Sequence, residues 1–280
     1  MQEEQQVRGA STQLWQGERA RPAVVDLVVT ATEGLDDRPA HPLDELAVAG
    51  RTGCPESPQA GRDTQQTAAI TEELVVKSRH RVKTYGEVFT QRQMVDLMID
   101  LVREDVETGP GFVDKTFLEP AAGDGNFLVA ILHRKLRAIE KRYEPARWAD
   151  ESLFALASIY GIELLEDNHR DAKNAMLDEF LRFHAKHDVA RGSRTRLRRA
   201  ATFLIDTNIV RGDTLRGLDW RGEEIQFSWW RRLPDAPGNV QREPFTLASL
   251  RGKPMFDLTP YETYAPCRID RVHEEAAARG

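Results

Sequence analysis

Cysteine is scarce in this chain: Cys54 and Cys267 are the two in 280 residues. They lie far apart, without partner histidines at ligand spacing, so neither a disulfide framework nor a zinc site is indicated. Long apolar runs are missing as well, which excludes a membrane-spanning helix. The acidic start Met1-Gln2-Glu3-Glu4 lacks the basic region of a secretory signal, so the expectation is a cytoplasmic protein with no membrane partner. An excess of positive charge is also missing. The formal net charge of -6 argues against indiscriminate nucleic-acid binding and leaves room for a local basic face. What is present, a 40% hydrophobic and 30% charged composition, is that of a soluble protein long enough for one large or two ordinary domains.

Three regions follow from the pattern along the chain. Residues 1–69 are rich in Gln, Glu, Arg, Gly, Pro, Ser and Thr and read as a largely disordered leader, with one apolar island, Val24 to Val29, fit for a strand. Residues 70–230 carry regular periodicity: a helix over 72–82, a second over 91–106 with Met94, Leu97, Met98, Leu101 and Val102 as its buried stripe, and a long helix over 165–186. A short helix over 151–157 is expected to be capped by Asp150. Residues 231–280 are rich in Pro, Gly and charge and read as an irregular tail.

The chain is organised around Phe117-Leu118-Glu119-Pro120-Ala121-Ala122-Gly123-Asp124-Gly125-Asn126-Phe127-Leu128. An apolar strand ends in a carboxylate, a tight glycine loop follows, and a helix opens with Leu128, Ile131, Leu132 and Leu136 on one face. Two glycines one residue apart let backbone pass close under a ligand, and the free amides of the helix point back at the same spot. A dinucleotide fingerprint needs a third small residue where this chain has Leu128.

Glu119-Pro-Ala-Ala-Gly-Asp-Gly125 instead resembles the first motif of the S-adenosylmethionine-dependent methyltransferases, whose cofactor is cationic at its ammonium and sulfonium and gains from nearby acidic groups. Gly86-Glu87-Val88-Phe89-Thr90 resembles the tenth motif of the adenine-specific DNA methyltransferases that carry it first, though the family's next residue is proline and here it is Gln91. Ile159 to Glu163 looks like the second strand, and Asn208 to Leu215 is similar to the third motif, a strand ending in Gly-Asp. The resemblance covers 85–215 and implies an α/β fold: a doubly wound, Rossmann-like class I methyltransferase sheet with helices on both faces. It implies a cofactor site in which Phe89 and Thr90 close over the methionine end, Glu119, Ala121, Gly123 and Gly125 form the loop, Glu163 accepts from the ribose hydroxyls, and Asp213 and Leu215 hold the adenine.

One part of the pattern is missing. Freeing and aiming an exocyclic amine is the task of an Asn- or Asp-Pro-Pro-aromatic turn in this family, and none follows Asp213. Ile225 to Trp230 lies where the fourth strand should fall and offers two tryptophans for stacking on a base. Asp257, Pro260 and Tyr261 form a turn further along and are the candidates for catalysis. Pro266-Cys267 is similar to the nucleophile turn of cytosine-carbon methyltransferases. Arg194, Arg196, Arg198 and Arg199, in the densest basic cluster, are candidates for phosphate contact. Three functions stay open: an adenine-specific DNA methyltransferase linked to restriction-modification, a cofactor-binding but inert subunit or regulator, and a methyltransferase acting on RNA or a small molecule. The expected partners are DNA and a second subunit carrying target recognition or the catalytic turn.

Overall fold

The structure is a computed structural model that describes residues 24–25, 77–187, 191–250 and 264–279. The chain divides into two compact units, 28–91 and the remainder. In the first, helix α1 (Arg79–Tyr85) starts on Ser78, whose side chain accepts from the Arg81 amide, and stops at Gly86 in the left-handed conformation. Arg81 and Glu87 pair at 2.6 Å, and Phe89 is buried under the Lys77 ammonium. The leader lies outside the described residues except for Val24–Val25.

The second unit is built on a five-stranded sheet in the order β1-β2-β3-β4-β5: β1 (Val24–Val25), β2 (Thr116–Glu119), β3 (Ile159–Glu163), β4 (Ile209–Asp213) and β5 (Leu218–Asp219). The first four strands are mutually parallel and β5 is antiparallel to β4. Between them come α2 (Arg92–Asp100), α3 (Asn126–Arg142), α4 (Trp148–Ala157), α5 (Glu166–Lys186) and α6 (Arg191–Asn208).

Successive strand residues point to opposite faces, and that alternation sorts the core in two. Phe117, Ile159 and Ile209 join the helix side chains Leu128, Leu132, Phe154, Phe180 and Leu204 in one cluster. Their neighbours Leu118, Tyr160, Ile162 and Val210 pack on the other face against Ile225, Phe227, Trp229 and Phe245. Phe227, Trp229 and Phe245 belong to a three-stranded antiparallel sheet of β6 (Gln226–Arg232), β7 (Asn239–Thr246) and β8 (Cys267–Arg268), and Ile225 immediately precedes β6.

Several expectations are corrected here. Helices were expected on both faces; among the described residues α3, α5 and their neighbours cover one, and the β6–β7 hairpin with the turn over 247–250 packs on the other. The reason is the sequence of the hairpin itself: Phe227, Trp229 and Phe245 sit on one pleat face and supply an apolar surface that a helix would otherwise provide. Residues 225–230 therefore do not make a fourth parallel strand. The neighbour of β2 on its free side is β1. The tail read as irregular holds β7, a single helical turn α7 (Leu247–Leu250), β8 and a 3-10 segment over 269–279.

Helix α2 buries Val95 and Ile99, and of the expected stripe Met98 and Val102 pack partly buried against the same core, while Met94, Leu97 and, just past the helix, Leu101 are 52%, 62% and 86% exposed. Its polar neighbours decide the rotation. Arg134 of α3 donates to Asp100 at 2.6 Å and pairs with Glu107, which draws the Val95 face onto α3. Asp150 is no cap: it lies in the first turn of α4 and accepts from Arg268 at 3.0 Å. No helix among the described residues is long and apolar enough to cross a membrane.

Candidate functional site

Three strand ends carry acids, and register fixes how they stand. Glu119 is level with Gly161, Gly161 with Ile209, and Glu163 with Arg211. Each acid thus lies two residues further along than the last, a stagger of roughly 7 Å per strand at ~3.3 Å per residue. Strand alternation puts Glu119, Glu163 and Asp213 on the face shared by Phe117, Ile159 and Ile209. The result is a diagonal of carboxylates on the order of 15 Å long at the carboxyl edge, where open α/β sheets bind ligands.

The loop between β2 and α3 is held from both sides. Gly123 has φ 56° and Gly125 φ 96°, backbone that L side chains rarely adopt. A Cβ on Gly125 would lie 2.9 Å from the Ala172 Cα on α5, so this glycine answers to helix packing as well as to any ligand. The Gly123 amide donates to Glu163 Oε2 at 2.7 Å, and the Leu165 amide donates to Glu163 Oε1 at 2.8 Å. Glu163 therefore fastens the loop to the start of α5. Thr214 Oγ1 donates to the Pro120 carbonyl at 2.5 Å and ties the end of β4 to the same loop.

Glu119 is 8% exposed, and its Oε1 accepts from the Ala121 amide at 3.1 Å. Burial pushes its carboxyl up, the Ala121 amide offsets part of that, and the nearby Glu163 adds to the rise, giving about 7. Asp213 Oδ1 accepts from the Arg216 amide at 3.1 Å. Among the described residues neither Glu119 nor Asp213 forms an ion pair. Two leucines stand open at the same edge, Leu164 at 47% exposure and Leu215 at 83%.

The structure thus brings Glu119, Ala121, Gly123, Gly125, Glu163, Asp213 and Leu215 to one edge. Phe89 and Thr90 lie in the other compact unit. Asp257, Pro260 and Tyr261 lie outside the described residues, and so does the side chain of Arg194. Arg196 pairs with Asp270 at 3.3 Å and lines a pocket of about 390 Å³ with His184 and His187 at the end of α5. The helix has 21 residues, so that end is ~30 Å from Glu163 at 1.5 Å per residue. Arg198 and Arg199 are exposed two and three residues on from Arg196 along α6.

The tryptophans offered for base stacking are structural. Trp229 stacks on Phe245 at 4.1 Å between centroids, and the indole of Trp230 donates to Asn208 Oδ1 at 3.0 Å. Cys267 lies in β8, where it pairs in register with Val240.

Sequence reasoning missed Leu164, Thr214 and the loop-fastening role of Glu163. Leu164 had a legible signal, since it follows its acid as Leu215 follows Gly-Asp-Thr. The Thr214 bond spans 94 positions and had none.

The glycine loop and the staggered acids thus stand together at the carboxyl edge of a parallel-rich α/β sheet. Residues 112–226 match the family model described as MmeI, DNA-methyltransferase domain. The match takes in the loop and all three acidic strand ends and stops as β6 begins, covering less than half of the chain; it supports the restriction-modification DNA methyltransferase family. No curated protein and no solved structure matches the chain.

Proposed function

We propose that the chain is an S-adenosylmethionine-dependent DNA methyltransferase core of restriction-modification type, with a class I methyltransferase sheet and the adenine amino group as its target. The observation that carries this reading is the diagonal of Glu119, Glu163 and Asp213 around the glycine loop, inside the segment similar to a DNA-methyltransferase domain.

The residues fit the cofactor chemically. Each carboxylate oxygen has two acceptor positions, so Glu163 can hold the Gly123 and Leu165 amides and still accept from two ribose hydroxyls. Glu119 meets the cationic amino-acid end, with the Ala121, Gly123 and Gly125 backbone beneath it. Asp213 accepts from the adenine amino group, with Leu164 and Leu215 as the apolar walls of the ring. When bound, the cofactor supplies an activated methyl group; the chain's own part is to orient it and to exclude water.

The test is incubation of the purified chain with methyl-labelled cofactor and duplex DNA, followed by nucleoside analysis. The expected product is N6-methyladenine. Cofactor binding without transfer favours the second reading, an S-adenosylmethionine-binding subunit whose partner completes the catalytic turn. The specific observation on that side is the hairpin β6–β7, which stands where a fourth strand was expected, buries Trp230 in one core cluster and packs Trp229 against the other.

A further inference from the structure

Glu119 and Glu163 end neighbouring strands, both buried, and the structure treats them differently. Glu163 takes two amides, one on each oxygen, at 2.7 and 2.8 Å, an arrangement that favours its anion. Glu119 takes one, at 3.1 Å. Two buried carboxylates at adjoining positions hold one charge more readily than two, so the less supported one keeps a proton.

The charged groups on the elements that meet here are Glu163 on β3, Asp213 on β4, Asp124 in the loop, and Glu166 and Asp167 in the first turn of α5, with Arg211 paired to Glu166 at 2.9 Å. The first turn of α3 carries no acid. The charge that acts on Glu119 is that of Glu163, and it opposes ionisation, in line with the rise to about 7.

We propose that uptake of the cationic cofactor at this edge is coupled to release of one proton from Glu119. The inference rests on the reading of the site as one for S-adenosylmethionine. Below about pH 7 the free protein holds Glu119 as a neutral acid beside an anionic Glu163. An arriving ammonium replaces that proton: the O–H bond of the carboxyl breaks, the proton leaves to solvent, and the carboxylate faces the cation. The site thereby matches its charge to its ligand and, below about pH 7, holds no second anion when empty.

Calorimetric titration of the full chain with S-adenosylmethionine, at pH 5.5 and pH 7.5 in two buffers of different ionisation enthalpy, counts the protons directly. The expected result is release of close to one proton at pH 5.5 and about a quarter at pH 7.5, with binding about twentyfold weaker at the lower pH. Glu119→Gln, its fold checked by thermal melting, is expected to bind weakly with no proton release and no pH dependence over this range. If that variant unfolds, the side-chain carboxyl ¹³C shift of wild-type Glu119 reads the same event, as a fall in its titration midpoint on binding. Binding with no protons released at pH 5.5, or a Glu119 shift that titrates alike in free and bound protein, overturns the coupling and leaves the cofactor site standing. Absence of binding at both pH values overturns the cofactor reading and the coupling with it.

Discussion

The two ends of the parallel sheet handle charge in opposite ways. At the strand starts the acids that hold the elements together are met by cations. Glu151, which is buried, pairs with Arg232 at 2.6 Å and Arg147 at 2.7 Å, and Arg232 also reaches Asp114 at 2.5 Å. Asp150 and Asp270 share Arg268, and Arg196 adds to Asp270. Lys135, fully buried, donates to the carbonyls of Val113 and Lys115 and to Ser158 Oγ. At the strand ends Glu119, Glu163 and Asp213 are held by backbone amides. The first end spends its charges on holding the fold together. The second keeps acidic groups that a cationic ligand can complete.

The largest expected effect lies at the matched end. Arg232→Met leaves Glu151 buried beside Arg147 alone and removes a guanidinium stacked 3.6 Å from the centroid of Phe154. Denaturant unfolding is expected to show a loss of about 3 kcal/mol. Cofactor affinity of the folded fraction is expected to be unchanged.

At the acidic end the sign reverses. The native Glu119 carboxyl keeps its proton up to about 7, against 4.5 for the ordinary value. Between those pH values the native state binds the proton and the unfolded state does not. This residue's contribution therefore falls as pH rises through the window and is lowest above it. Glu119→Gln is expected to stabilise the empty protein at pH 8 by up to about 3 kcal/mol, read from unfolding curves, while it weakens cofactor binding. A loss of stability at pH 8 would place Glu119 with the structural acids of the other end.

A smaller effect is expected from Arg268→Ala, since Arg268 is half-exposed and its pairs are screened. The melting curve should report less than about 1 kcal/mol, and the ligand site should be unaffected. Smallest is Leu215→Ser. At 83% exposure the leucine contributes little to stability, and cofactor binding is expected to weaken by about threefold, in line with partial burial of one leucine under a ring.

Much of this contrast was legible in the sequence on one side only. The strand, the glycine loop and the helix after it are local patterns, so β2, α3 and α5 could be read from periodicity, and β3 and β4 from the resemblance of their acidic ends to family motifs. Long-range pairing could not. Lys135 sits in a charged stretch, and the carbonyls that bury it come 20 and 22 positions earlier. The exposed stripe of α2 follows from Arg134, 34 residues away from Asp100. Phe227 and Trp229 read as a strand, but an antiparallel hairpin and a parallel fourth strand share the same alternation. Their partner Phe245 decides between them.

The most direct test is equilibrium binding of S-adenosylmethionine at pH 7.5 to the wild-type chain and to Asp213→Ala, with NAD titrated alongside. Saturable binding of S-adenosylmethionine that is lost in the variant, with no binding of NAD, is the predicted result. Equal binding of NAD, or retention of S-adenosylmethionine without Asp213, would contradict a site in which amide-held acids select a cationic nucleoside.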